Sequence, residues 1–404
     1  MRTFVSIEDA VRIACEMSTL PRVTEMVSLS EAHGRILSED IISKVDDPAF
    51  DNSAMDGWAI RIEDHRDDYS LSVIGVSKAG SPFSGVVGEG EAVQVMTGAD
   101  IPTGANAIVM VEDSTISANG ETVHITGPAR PNYIRRKGEN IHAGQLALKS
   151  GTHITPSVIS LAATMGYGDL PVVTRPLIAV ISTGDELIPP GEELAPGQIF
   201  ESNSFGICAL IERMGCEAVR WSTVRDSMDN LRAALNNASE SCDAIITSGG
   251  VSMGEWDYVR RLMEEEGNIG FWKMQIRPGG PPIFGTWNDV PLFGLPGNPV
   301  SSHVVFITLV APWISSSLGH HTEHGPHLIK QVRVQLKNSV KGAPGKVCLR
   351  RIKIELEGDL LVASTQTHQG SGNIHSLVAH NGLTFLSPDT DGEVGDIVDA
   401  LLLL

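Results

Sequence analysis

From Leu177 to about Leu318, short apolar runs alternate with runs of helical character: LIAVIS, SFGICALIERMG, AVRWSTV, SMDNLRAALNNAS, DAIITS and the stretch beyond Gly254. This alternation is the signature of parallel βαβ units with helices on both faces, because each parallel pairing needs a crossover that a helix supplies. Such sheets bind ligands at the carboxyl ends of their strands. Three strand ends here run into polar turns: Ser182-Thr183-Gly184-Asp185-Glu186, Ser248-Gly249-Gly250-Val251-Ser252 and Gly294-Leu295-Pro296-Gly297-Asn298-Pro299. One glycine turn is weak evidence, but three on one sheet edge predict a pocket.

The middle junction is the most informative. Ala244-Ile245-Ile246 reads as a buried strand, Ser248-Gly249-Gly250 as a turn needing backbone freedom, and DYVRRLMEEEG as a helix ending at Gly267. Ser252, Glu255 and Asp257 stand at or near the helix start. Converging N–H donors, a hydroxyl and carboxylates suit a phosphate with its metal ion. Read alone, the segment fits an ordinary βα loop equally well.

Asp185, Glu186, Asp226 and Asp257 all fall at or just beyond strand ends, so they can converge although distant in sequence. Oxygen ligands of this kind suit Mg²⁺, which keeps several waters and leans on a few carboxylates plus phosphate. A helix cap or first-turn position is the simpler reading of Asp185, and for Asp257 the two readings are balanced. FWKMQIRPGGPPIFG reads as a hairpin in which alternation puts Lys273, Gln275 and Arg277 on one face.

A chain of 404 residues is too long for one core. Ser6 opens a helix, SIEDAVRIACEM, and TEMVSL follows as a strand; SEAHGRILSED leads, as a short helix or turn, into a second strand. From Asp46 to His142 short β-type runs are separated by Gly, Pro, Asn and Asp, which describes a small all-β insert. Its opening, DDPAFDNSAMDGWAI, holds Asp51, Asn52, Ser53 and Asp56 and is too polar for core; Met96-Thr97-Gly98-Ala99 adds a second polar turn. Ser157 to Met165 is a helix returning to the first unit, and the runs from Lys330 onward form a second all-β unit.

Charge narrows the function. The 30 Lys plus Arg against 49 Asp plus Glu give a formal −19, which argues against nucleic acid and anionic membrane as partners. Arg135, Arg136 and Lys137 supply local anion affinity that the net charge does not, a solvated basic loop being the alternative. The five scattered cysteines read as buried, reduced thiols, and the apolar run from Val304 to Ile314, broken by Pro312, is shorter than the about 20 residues a bilayer crossing takes. The N-terminus lacks a signal-peptide pattern, so a cytoplasmic location is expected. GHHTEHGPH, from Gly319 to His327, reads as a linker with an exposed, adventitious histidine cluster.

With these residues in place, the sequence resembles the molybdopterin molybdenumtransferase family, molybdenum-insertion enzymes related to the C-terminal domain of gephyrin. DNSAMDGWAI, MTGADIP, IRRKGENI, ISTGDEL, VRD, ITSGGVSMGEWDY, FWKMQIRPG, FGLPGNPVS and HQGSG match its motifs in order, across nearly the whole chain. The resemblance implies four parts: a discontinuous N-terminal domain (1–45 and 143–176), an inserted β domain (46–142), a doubly wound parallel α/β domain (177–325) and a C-terminal β barrel (326–404). It implies a homodimer whose cleft is shared between the α/β domain of one subunit and the inserted domain of the other. The implied reaction inserts molybdate into adenylylated molybdopterin, with Mg²⁺ assisting and AMP released; transient contact with a molybdopterin adenylyltransferase and apo-molybdoenzymes follows.

By the same resemblance Asp56, Asp226, Asp257 and Lys273 are the candidate catalytic residues, and Glu186, Asp226 and Asp257 the metal ligands. Thr97, Arg135, Arg136, Thr183, Gly184, Ser248, Gly249, Gly250, Ser252, Arg277, Pro296, Gly297, Asn298 and Ser371 are the candidate binding residues. Two positions depart from the pattern: Asn140 where an acid is usual, and Gly280 where PGKP would place a lysine. Adenylylation of molybdopterin on the same α/β fold, and a non-catalytic dimeric scaffold, are the competing functions.

Overall fold

The structure is a computed structural model that describes residues 2–66, 68–252, 257–366 and 368–404. Its centre is a seven-stranded sheet in the order Arg2–Val5, Asn268–Met274, Ile283–Trp287, Val290–Leu295, Ala244–Ser248, Leu177–Ser182 and Glu217–Arg220. The last four strands run parallel, as the alternation predicts, while Ile283–Trp287 is antiparallel to both its neighbours.

Strand periodicity explains why both faces are covered. Ile178, Val180, Ala244, Ile246, Phe284 and Phe293 point to one side, where they pack with Ile207, Ile211, Val304, Phe306 and Trp313. Ala179, Ile181, Ile245, Ile283 and Leu292 point to the other, against Leu231, Leu235, Val259 and Leu262. Strand residues buried on both faces read as continuous apolar runs, which is why LIAVIS and DAIITS lack polar alternation.

The first seventeen residues differ from the expected grouping with 143–176. Arg2–Val5 adds a parallel edge strand beside Asn268–Met274, and the helix Ile7–Met17, capped by Ser6 Oγ accepting from Asp9 N at 3.1 Å, buries Ala10, Ile13 and Ala14 against the same core. A second difference lies at Pro312. The chain is helical without a break from Pro299 to Leu318, because a π-helical stretch, Phe306–Val310, places Pro312 in the first turn of the helix Ala311–Leu318, where its missing N–H costs nothing. By length and composition this helix could cross a membrane, but 72% of its most apolar window is buried inside the fold, as a core helix.

The inserted region forms a six-stranded sheet, Ala107–Met110, Gly57–Ile60, Glu91–Val95, Tyr69–Ser77, Thr122–Ile125 and Ser114–Ile116. Its opening stretch is less polar in space than in sequence: Asn52 and Ser53 are buried, and Trp58 and Ile60 enter a core with Val109 and Val123. Ser53 is accommodated because its N–H and C=O pair with Ala99 and Gly98 and its hydroxyl bonds the Met55 carbonyl. Ile329–Leu336, Leu360–Ser364, Arg351–Glu357, Gly382–Thr384 and Ile397–Leu403 close into a barrel. A two-residue parallel pairing, Ile276–Arg277 with Val347–Cys348, ties this barrel unit to the α/β unit.

The histidine-rich linker is more ordered than expected. His320 is packed, its Nδ1 3.2 Å from Ser315 Oγ, and burial pushes its pKa down to about 4, while His321 and His324 stack at 4.9 Å.

Candidate functional site

The three polar turns lie side by side. The strands that feed them are neighbours in the sheet, with Ser182 opposite Ser248 and Ser248 opposite Leu295, so their carboxyl ends are level. Backbone bonds lock the turns to one another: Thr183 N donates to Ser248 O at 3.1 Å and Gly249 N to Leu295 O at 3.0 Å. Gly249 is required twice over. Its φ is +102°, and a Cβ there would come within 2.9 Å of the Thr183 carbonyl oxygen.

Together the turns wall a cleft of about 650 Å³ lined by Thr183, Gly184, Ser248, Gly249, Gly250, Ser252, Pro296, Gly297 and Asn298. Two buried polar atoms of the lining, Thr183 Oγ1 and Asn203 Oδ1, have no hydrogen-bond partner among the described residues. Buried polar groups left unpaired are costly, and a polar ligand in the cleft would satisfy them. The helices Asn203–Arg213 and Pro299–Val305 begin at this lining, with their N-terminal N–H groups and positive dipole ends.

Carboxylates share this lining with the turns. Glu186, Asp226 and Asp257 all line the cleft. Asp226 has its pKa raised, chiefly by burial and then by the charges of Asp185, Glu186 and Asp257. Among the described residues no three metal-ligating side chains are grouped closely enough to hold an ion alone. A cation at these carboxylates would need the rest of its shell from water and a phosphate.

Asp185 is not a helix cap. An extended segment, Leu187–Ile188, follows it, and its Oδ1 accepts from Asp226 N at 3.2 Å, fixing the next acid. Asp257 holds the cap position of the helix Tyr258–Glu265, yet its side chain makes no capping bond there. Glu255, expected in this first turn, lies outside the described residues.

A second pocket, of about 410 Å³, adjoins the cleft through Ser252 and Pro281. It is lined by Lys273, Arg277, Gly280 and Lys346, so Lys273 and Arg277 meet as their shared strand face predicts. The Lys273 ammonium stands 3.9 Å from the Trp272 ring centroid and 5.1 Å from that of Phe4.

The remaining sequence-derived residues lie elsewhere. Asp56, Thr97, Arg135 and Arg136 belong to the inserted unit and do not line the cleft. Asp56 Oδ1 accepts from Thr97 N at 2.6 Å and Thr97 Oγ1 at 2.9 Å; the Thr97 N–H, then its hydroxyl, hold the Asp56 carboxyl below its ordinary pKa. The basic loop is less free than its sequence suggests. Arg136 pairs with Asp51 at 2.6 Å and Lys137 with Asp46 at 3.3 Å; Arg135 has no ion-pair partner among the described residues. Asn140 Nδ2 donates to Asp47 Oδ2 at 2.9 Å, where an acid would oppose the Asp47 charge. Ser371 does not line the cleft; its carbonyl accepts from Val300 N at 3.1 Å, while its neighbour Gly372 lines the wall.

Sequence reasoning missed Glu201 and Asn203. Glu201 is buried beneath the cleft, accepting from Ser182 Oγ at 2.9 Å and Ser204 N at 2.8 Å. The signal was present: Glu201-Ser202-Asn203-Ser204 is a polar run immediately before an apolar helix, the composition of a capping segment.

The fold and cleft define a four-part protein organised around a molybdopterin-binding type of α/β domain. Residues 5–166 match the family described as MoeA N-terminal region (domain I and II), 179–316 the probable molybdopterin binding domain and 333–403 the MoeA C-terminal region (domain IV). The chain belongs to the molybdopterin molybdenumtransferase family. The molybdopterin molybdenumtransferase of Haemophilus influenzae is 39% identical over 327 residues, 80% of this chain and 81% of that one. That of Bacillus subtilis is 34% identical over 416 residues, 100% of this chain and 95% of that one. A solved molybdopterin biosynthesis MoeA structure from Pyrococcus horikoshii, 32% identical, superposes with a TM-score of 0.79 over 99% of both chains.

Proposed function

We propose that this chain is a molybdopterin molybdenumtransferase, inserting molybdate into adenylylated molybdopterin and releasing AMP. The observation that carries the reading is that three level backbone turns, with unpaired Thr183 Oγ1 and Asn203 Oδ1, and the carboxylates Glu186, Asp226 and Asp257 line one cleft. The turns hold a phosphate of the pterin substrate through the Gly250 N–H, the close backbone approach at Gly249 and the helix N-termini, with Thr183 Oγ1 donating to it, while Asn203 Oδ1 accepts from an N–H or O–H of the substrate. Glu186, Asp226 and Asp257 would supply part of the shell of a magnesium ion, water and the phosphate supplying the rest, and such an ion would neutralise charge on the phosphoanhydride. Asp257, beside the glycine turn, orients that anhydride for cleavage. Lys273 and Arg277 in the adjoining pocket bind the oxyanion, Arg277 through its planar fork.

The reading also makes the protein a homodimer. Asp56, Thr97 and Arg135 lie outside the cleft of their own chain, so a second copy brings its inserted unit to this cleft. Molybdenum-cofactor chemistry further implies transient hand-over from a molybdopterin adenylyltransferase and to apo-molybdoenzymes.

Purified protein given adenylylated molybdopterin, Mg²⁺ and molybdate tests the reaction. AMP release that depends on molybdate, with formation of the molybdenum cofactor, is the expected result. No AMP above background with the substrate still bound would overturn it, and ATP-dependent conversion of free molybdopterin would replace it with the adenylyltransferase reading.

A further inference from the structure

Arg351 opens the barrel strand Arg351–Glu357 and is 0% exposed. No carboxylate pairs with it among the described residues, and burial, then the neighbouring Arg350, pushes its pKa down to about 10. It is still a cation at neutral pH, in a place where an apolar side chain of similar volume would be no less stable. Packing of the barrel therefore does not explain the guanidinium.

Its side-chain bonds all go to one segment. Nε donates to Ser376 Oγ at 2.9 Å and Nη2 to the Gly370 carbonyl at 2.9 Å, while Nη1 is buried without a partner. Gln369 brackets the Arg351 backbone in return, its Oε1 accepting from Arg351 N at 2.9 Å and its Nε2 donating to Arg351 O at 3.0 Å. The far side of this segment belongs to the cleft. Ser371 O accepts from Val300 N in the first turn of the helix Pro299–Val305, Gly372 lines the cleft, and a Cβ at Gly372 would lie 3.7 Å from Asn298 Oδ1. Contacts thus run from the barrel through Gly370 and Ser371 to the third polar turn.

We infer that Arg351 is a positioning residue: its guanidinium seats the loop 369–373 against the third polar turn and so sets how tightly the cleft takes its substrate. That the substrate is adenylylated molybdopterin rests on the proposed function; the seating of the loop does not.

A purely structural arginine and a positioning one predict opposite results for Arg351→Met. Gly370 O keeps the Asn373 N–H at 3.2 Å and Ser376 Oγ keeps the Asn373 carbonyl, so the variant leaves no acceptor orphaned. Thermal scans, steady-state kinetics and hydrogen exchange of the full-length protein read the difference. Tm is expected at or above that of wild type, while exchange over 297–303 and 368–376 rises about fivefold and the strands Ile329–Leu336 and Ile397–Leu403 keep their protection. KM for the pterin substrate should rise about fivefold with kcat within about twofold. Wild-type KM, unaltered exchange over 297–303, or a lower Tm with protection lost across the barrel would overturn the inference. A variant that fails to fold is replaced by Ser376→Ala, which removes the Nε partner and carries the same expectation for exchange and KM. Faster exchange over 297–303 in Arg351→Met, in a protein that releases no AMP, would sustain the seating and remove the transferase reading instead.

Discussion

The Asn203 carboxamide donates one N–H to Ser248 Oγ at 2.7 Å and another to the Gly297 carbonyl at 2.8 Å. One side chain thus pins the second polar turn to the third, and its own oxygen, buried and unpartnered, is left for whatever enters the cleft. Asn203→Ala removes both braces and the waiting acceptor. KM for the pterin substrate is expected to rise about tenfold, on the order of one net hydrogen bond accepted from the substrate, with a smaller fall in kcat. Steady-state kinetics measure this; an unchanged KM would show the turns to be self-supporting.

Asp226 makes a pH prediction of definite sign. Burial and neighbouring acids raise its folded pKa above the unfolded value of 3.8, so ionisation is penalised in the native state. The stability it contributes is present below the unfolded value and lost as pH rises through the raised folded one. Asp226→Asn should therefore raise Tm by about 2 °C at pH 7.5, with the gain vanishing below pH 4, while turnover falls. Mg²⁺ should raise the Tm of the wild type more than that of the variant. Thermal scans at both pH values, with and without Mg²⁺, decide it, and a variant less stable than wild type at pH 7.5 would contradict the repulsion argument.

Asp257→Asn keeps the size of the side chain at the helix cap and removes its charge. Turnover should drop more than tenfold with Tm within about 2 °C of wild type, since Asn keeps the shape and one oxygen of the side chain. Wild-type rates would take Asp257 out of the mechanism.

Asp56 and Thr97 provide the test of the shared cleft. Asp56→Asn retains an oxygen for the two Thr97 donors, so the inserted unit should fold normally while activity falls. Co-refolded Asp56→Asn and Asp257→Asn chains should regain about a quarter of wild-type activity, since half of randomly paired dimers carry one intact cleft of two. No recovery in verified mixed dimers would mean that each cleft takes both residues from a single chain.

How much of this was legible follows the range of the interactions. The three turns and the acids beside them were readable because strand, turn and helix start are contiguous in sequence, and parallel order puts all strand ends on one edge. The Asn203 brace was not, because it depends on how a helix start packs against two other loops. Lys346 joins Arg277 only through a two-residue pairing between separate units, nearly seventy residues apart. The edge strand Arg2–Val5 finds its partner at Asn268–Met274, a pairing no local pattern encodes. At Pro312 the local rule failed because the π-helical stretch before it puts the residue in the first turn of the next helix. The basic loop misled by composition, since Asp46 and Asp51, far back in the chain, claim two of its charges.

The central claim is that the phosphate chemistry occurs where the three turns meet the carboxylates. A crystal structure of the Asp257→Asn protein with adenylylated molybdopterin and Mg²⁺ tests it most directly. The account predicts phosphate oxygens within hydrogen-bond distance of Gly250 N and Thr183 Oγ1, with density for a metal ion near Glu186 or Asp226. A phosphate bound elsewhere, with the turns in contact only with solvent, would contradict it.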